Sequence, residues 1–374
     1  MVQVSDEPLI LGAGPAGCAA AIELARAGAS PLLIDRHETP RDPLCGGFLS
    51  WRTFEQLRAL GIDCAALGAH RVDTLALFTP GQTASVPLPR PAFGLSRHAL
   101  DSAMRKVAIA QGAQFACDLV RSLAPGEAIG RERTWRADSI FLATGKEDVR
   151  GHSRPRKAAD PALGLRIRLA ASPERRRLMQ GQIELHLFKG GYAGIVLQED
   201  GSANVCLALR KSALSACDND PRLLLAHIAQ DNCALAARFG EDWHSSRIET
   251  IGAVPYGFIA RETERGLFRL GDQAAVIPSL AGEGIGLALA SGVMAAQTWS
   301  KGGAGAAIAY QQQFARAAQR PVRTAAIIRR LAESPVNSRL AILAARHMPA
   351  LFKALARATR IEAPPSLARE TSPA

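Results

Sequence analysis

Residues 8 to 35 constrain the fold more than any other stretch of the chain. Pro8-Leu9-Ile10-Leu11 reads as a short buried strand, and Gly12-Ala13-Gly14-Pro15-Ala16-Gly17 follows it at once. Cys18 to Ala27, rich in alanine, isoleucine and leucine, reads as a helix that Gly28 ends. Pro31-Leu32-Leu33-Ile34 reads as a second strand, closed by Asp35 eighteen residues after Gly17. Strand, GxGxxG, helix, strand and acid together form the unit of a dinucleotide site. Gly12 permits the tight turn, Gly14 lets the backbone approach a pyrophosphate, and Gly17 lets the helix pack on the strand. The helix start presents free N–H groups to phosphate charge, and Asp35 is placed to accept hydrogen bonds from ribose hydroxyls. The unit alone does not separate FAD from NAD.

The remainder of the chain predicts a second layer and a basic end. Among the 374 residues, 48% are hydrophobic and 21% charged, an ordinary globular composition for two or three structural units. No unbroken apolar run approaches the roughly eighteen residues of a membrane span. The first seven residues lack the basic and apolar regions of a signal peptide. The seven cysteines are scattered without a CxxC pair, so no disulfide framework and no metal site is expected, and the reading is cytoplasmic. Gly164 to Leu169, Ile183 to Phe188, Ala193 to Gln198 and Ala203 to Leu209 alternate like strands of a sheet with one buried face.

Of the net charge of +11, the segment from Arg316 to Ile361 carries +9, with ten Arg/Lys against Glu333. It reads as helical pieces in which Pro321 opens one, Pro335 ends it and Pro349 punctuates the next. Such a basic amphipathic segment suits either a solvated face or peripheral contact with anionic membrane or an acidic carrier protein. No nucleic-acid motif accompanies it.

Several downstream segments resemble the flavoprotein superfamily of para-hydroxybenzoate hydroxylase and geranylgeranyl reductase, over roughly residues 8 to 300. Gly266 to Ala275 looks like its GD motif, which implies that Asp272 contacts the ribityl chain of FAD. Pro278, Gly282, Gly284, Ile285 and Gly286 follow, at the start of a helix that in relatives points at the flavin ring. Ser96-Arg97-His98-Ala99-Leu100 resembles the segment that brings an arginine near the cofactor, and Phe141-Leu142-Ala143-Thr144-Gly145 the strand-end ATG motif. Leu44-Cys45-Gly46-Gly47 and Gly190-Gly191-Tyr192-Ala193-Gly194 resemble the geranylgeranyl reductase-like branch, although Gly194 stands where relatives carry an aromatic. Val276 replaces a histidine common in hydroxylases, and no WxWxIP run of flavin halogenases occurs.

The resemblance implies an α/β fold. A Rossmann-like FAD-binding domain of three-layer ββα type would be built from 1–70, 92–158 and 247–310. A β-sheet substrate domain would use 71–91 and 159–246, basic helices 311–361, and a disordered tail 362–374. The implied cofactor set is Gly12, Gly14, Pro15, Ala16, Gly17, Asp35, Arg36, Arg97, Gly145, Gly271, Asp272, Gly282, Gly284 and Ile285. The implied substrate pocket is Cys45, Gly46, Gly47, Leu187, Tyr192, Val196 and Pro278, with Cys45 as catalytic candidate. The expected activity is that of an FAD-dependent oxidoreductase on a lipophilic or aromatic molecule, isoprenoid- or polyketide-like and free or carrier-bound. The favoured reaction is hydride transfer from reduced flavin to a C=C bond. The alternatives are a monooxygenase using a flavin C4a-hydroperoxide and a non-enzymatic flavin-binding protein. With no second GxGxxG, NAD(P)H would bind only transiently as donor, or another redox protein would supply the electrons.

Overall fold

The computed structural model describes residues 7–156 and 158–362. The expected disordered tail therefore lies, but for Glu362, outside the described residues.

A five-stranded parallel sheet organises the cofactor half, in the order 267–269, 140–142, 9–11, 32–35, 114–117. Its strands are three or four residues long and almost wholly apolar, as a sheet covered on both faces requires. Successive side chains go to opposite sides. Ile10, Leu33, Phe141 and Phe268 pack under the helices Pro15–Arg26 and Gly284–Gly302. Leu9, Leu11, Ile34 and Leu142 pack on Ala128 and Trp135 of a small three-stranded antiparallel sheet. Helices, parallel sheet and small sheet are the three layers of an α/β FAD-binding fold. The two helices approach so closely that a Cβ on Gly292 would lie 2.3 Å from the Ala16 carbonyl oxygen.

The second half is an eight-stranded mixed sheet, ordered 248–254, 162–169, 203–210, 191–197, 181–188, 70–79, 82–94, 48–49. One face carries Leu165, Ile167, Ile195 and Val205 against Leu225, Leu235 and Phe239 of short helices. The buried Glu184 lies on that side too, paired with Arg238 and His186. The opposite face, with Ile183, Leu185, Leu187 and Tyr192, looks toward the cofactor half.

Two boundaries differ from the sequence reading. The strand Ile248–Val254, assigned above to the cofactor domain, is the edge of the eight-stranded sheet and pairs with Ala162–Leu169. The hairpin strand Gln82–Gly94 likewise runs past residue 91. Antiparallel pairing consumes backbone hydrogen bonds wherever register allows, and that register is not written in local composition.

The C-terminal region differs more. Pro321 opens no helix; it sits inside one continuous helix, Ala307–Ala332. A mid-helix proline costs about 3 kcal/mol locally, but Tyr310, Phe314, Ala318, Val322 and Ala325 bury one stripe of this helix in the main core and override it. Pro335 and Pro349 each stand at the first turn of the next two helices, Pro335–His347 and Pro349–Ala358. Ile342 and Ala345 of the first pack on Leu77, Ala84 and Val86 of the sheet, so these helices roof its cofactor-facing side.

Candidate active site

One cavity of about 1230 Å³ runs between the two halves. It exceeds the roughly 300–1,000 Å³ of a single-ligand cleft, which leaves room for a dinucleotide and a second molecule. Its floor at one end is the glycine turn. Gly12, Gly14, Pro15, Ala16, Asp35, Arg36, Arg97, Gly145, Gly271, Asp272, Gly282, Gly284 and Ile285 all line it. Gly17 does not reach it: a Cβ there would sit 1.9 Å from the Gly12 carbonyl oxygen, so this glycine serves helix-on-strand packing.

The geometry fits a dinucleotide. A Cβ on Gly14 would meet only the Arg97 Nη2, at 3.2 Å, and one on Gly46 or Gly284 would meet nothing within 4 Å. All three face the cavity, and none has positive φ. The protein's own packing thus asks for no glycine there; a ligand lying against the backbone does. The Asp35 carboxylate accepts the Ala13 N–H at 2.8 Å and the His37 N–H at 2.9 Å, so both strand ends share one acid. Arg97, at the start of the helix Arg97–Ala110, donates to Asp101 through Nε at 2.8 Å and Nη2 at 2.6 Å. Burial opposes its charge, yet the Asp101 pair outweighs it and holds the Arg97 guanidinium above its ordinary pKa. A fixed cation therefore stands over the phosphate turn.

At the other end of the cofactor bed, Asp272 lies 3.8 Å from the Lys146 Nζ, and its carbonyl accepts from the Arg154 Nη1 at 3.0 Å. Gln273 ties this turn to the ATG loop by donating to the Thr144 hydroxyl, the Gly145 carbonyl and the Glu147 carbonyl, at 3.1, 3.0 and 2.8 Å. The helix Gly284–Gly302 starts at the cavity wall, and its N-cap is Glu283. The Glu283 carboxylate is buried, accepts from the Ser50 hydroxyl at 2.9 Å and pairs with Arg360 at 3.0 Å. Burial pushes the Glu283 carboxyl up and the Arg360 guanidinium down in pKa. Arg360 also donates to the Ala281 carbonyl at 2.7 Å and lies 4.8 Å from the Trp51 ring centre.

Beyond the bed, Cys45, Gly46, Gly47, Leu187 and Tyr192 line the wall, but two expected pocket residues do not. Val196 is fully buried in a satellite core with Val72, Ala92 and Ile183, and Pro278 is buried outside the lining. For Val196, the sheet's pleat puts the side chain on the correct face, but Gly94 of a neighbouring segment packs over it. Cys45 is partly exposed, and its carbonyl is held by the Asn204 Nδ2 at 2.9 Å and the Cys206 Sγ at 3.0 Å. Burial pushes the Cys206 thiol up to about 12.

Sequence reasoning missed three groups here. Ser279 hydrogen-bonds both Tyr192 and Tyr256, the latter at 2.7 Å, and makes one polar spot in an aliphatic wall. Burial raises the Tyr192 hydroxyl well above the ordinary phenol range, so it keeps its proton at neutral pH. Glu283, flanked by two glycines inside the recognised segment, was legible as a non-packing residue. Arg360 carried no such signal, being one basic residue among the ten of its segment.

Residues 6–119 match the family described as "FAD binding domain". The menaquinone reductase of Mycolicibacterium smegmatis is 25% identical over 332 residues, 79% of this chain and 76% of that protein. Among solved structures, a flavin-dependent brominase superposes with TM-score 0.75 at 15% identity, covering 95% of this chain and 94% of that one. A geranylgeranyl bacteriochlorophyll reductase-like protein from Thermoplasma acidophilum gives TM-score 0.70 at 16% identity, covering 94% and 96%. Fold, glycine bed and family match together define an FAD-dependent oxidoreductase. Residues 6–119 carry an FAD binding domain, and the chain shares its fold with the flavin-dependent brominase and the geranylgeranyl reductase-like protein.

Proposed function

We propose that the enzyme reduces a carbon–carbon double bond in a long apolar molecule of isoprenoid type, a prenylated quinone being the first to test. One observation carries this reading. Past the cofactor bed the cavity is walled by Leu75, Leu77, Ile183 and Leu185 of the sheet and by Leu340, Phe352 and Leu355 of the roofing helices. An aliphatic wall of that extent gains about 25 cal/mol per Å² of apolar substrate surface covered and offers a polar aromatic acid few partners. The relative named as a menaquinone reductase supports the same substrate class.

In this reading Gly12 to Ala16, Asp35, Arg97 and Asp272 would hold FAD, with NAD(P)H as the transient donor, and the reduced flavin would supply the hydride. The chain's own part is to position and to protonate. Tyr192 and Tyr256 share the Ser279 hydroxyl, and these three hydroxyls would relay the proton from solvent to the substrate carbon, each passing one proton on as it receives another. Cys45 and Gly46 shape the wall where the double bond lies, and the aliphatic side chains exclude water from it.

The test is stopped-flow absorbance of protein reduced by dithionite without oxygen, then mixed with a polyunsaturated prenyl quinone in detergent. Rapid return of oxidised-flavin absorbance, with a product one double bond poorer by mass spectrometry, is expected. Reoxidation by oxygen alone, coupled to hydroxylation of an added phenol, would replace the reading with that of a monooxygenase.

A further inference from the structure

Of the twelve exposed large apolar side chains among the described residues, seven lie between Ile327 and Leu351. Three of them have two faces. Leu331, Leu340 and Leu351, each from a different one of the last three helices, are 51%, 56% and 40% exposed and also line the cavity. They ring a mouth through which the aliphatic end of the cavity meets the outside. Val336, Leu343 and Met348 continue the apolar surface around it.

The exposed charge on these three helices has one sign. Arg323, Arg330, Arg339 and Arg357 are exposed on the same helices. Glu333, the one acid between Arg316 and Ile361, is turned inward and paired with Arg210 and Arg329. Exposed leucines among unopposed arginines have the composition of a segment lying in the headgroup region of an anionic bilayer. A patch of this kind in water marks an interaction site.

We propose that the face formed by the ends of these three helices docks on an anionic lipid surface and opens the cavity directly to the bilayer. The substrate's apolar chain then passes from lipid to cavity without crossing water. No described helix is long and apolar enough to cross a membrane, and the attachment proposed for this face is peripheral. The proposal concerns the surface and does not depend on which reaction the flavin performs.

The experiment is flotation of the FAD-loaded full chain with vesicles of phosphatidylcholine, with and without phosphatidylglycerol, at low and high salt. Flotation with the anionic vesicles, weakened by salt, is expected. Each arginine near the surface contributes about a fivefold factor to partitioning, so Arg330→Glu with Arg339→Glu lowers the bound fraction more than about tenfold. Val336→Glu with Leu343→Glu, which adds charge to the apolar part, does the same. None of these four residues lines the cavity, so flavin content and turnover of detergent-dispersed quinone stay near wild type. Loss of flotation with turnover intact bears on the surface; loss of turnover with flotation intact bears on the reaction. The proposal is overturned by absence of flotation at low salt, or by equal flotation of the Val336/Leu343 variant. It is also overturned by a dimer in light scattering that this variant dissolves, or by capture on an acidic carrier protein without any flotation.

Discussion

Arg360→Met tests whether the last turn of the roof is electrostatically tied to the flavin-facing helix. The wild-type guanidinium is 4% exposed and its partner Glu283 carboxylate 1%. Loss of one member of such a pair leaves a buried charge uncompensated, which costs about 3–5 kcal/mol. Met fills most of the arginine stem's volume, so the electrostatic loss dominates over a cavity. Glu283 then retains only the Ser50 hydroxyl, because its other oxygen already lacks a partner. The sign of the pH dependence follows. The folded pKa of Glu283 lies above its unfolded value because of burial, and losing Arg360 raises it further. A carboxyl of this kind favours folding when protonated: its contribution is present below the unfolded pKa and is lost as pH rises through the folded pKa. The penalty of the variant is therefore largest above the folded pKa of Glu283 and shrinks as pH falls through it toward the ordinary carboxylate range. Thermal release of flavin fluorescence, scanned across that range against wild type, measures it. Glu283→Gln in the same chain removes the stranded charge and restores stability at the upper pH. A penalty independent of pH, or no rescue by Glu283→Gln, would refute the buried-pair argument.

Gly14→Val is expected to give a folded, colourless protein, because its side chain projects into the cofactor bed and meets only the end of the flexible Arg97; a yellow purified variant with normal circular dichroism would contradict this. Ser279→Ala breaks the link between Tyr192 and Tyr256 and is expected to slow substrate-driven flavin reoxidation by about a hundredfold or more, with FAD content unchanged. Equal rates would remove this hydroxyl set from proton delivery. Cys45→Ala should retain flavin, since the Asn204 and Cys206 hydrogen bonds that hold this turn run to the Cys45 backbone carbonyl, and should slow reoxidation by substrate; unchanged turnover assigns Cys45 to wall packing alone.

Much of this protein was written locally. Strand, glycine turn, helix and Asp35 lie within a continuous stretch, and each requirement there is set by neighbours a few residues away. Gly12 must turn, Gly17 must let the helix touch the strand, and Asp35 must end its strand, so the cofactor bed is legible without a structure. The motif around Asp272 was legible for the same reason, because a short buried strand and a following turn carry their own composition. Val196 was misplaced because alternation tells which face of a strand a side chain takes, not what covers that face, and Pro278, which only the resemblance implied, is buried outside the cavity lining.

The C-terminal helices mark the limit. Ten basic residues against one acid read as a solvated or docking segment, and helical periodicity in the sequence is the same whether the apolar stripe meets solvent, lipid or another layer. Only the packing of Ile342 and Ala345 on Leu77 and Val86 turns that stripe into the roof of the cavity. Only the fold brings Arg360 to Glu283, 77 residues earlier in the chain. The sequence alone thus determined the dinucleotide bed, which rests on backbone turns and short-range spacing, while FAD and the class of chemistry were implied by the resemblance to a flavoprotein superfamily. Tertiary structure decided the shape and polarity of the substrate space, because that space is the gap between elements distant in the chain and belongs to none of them.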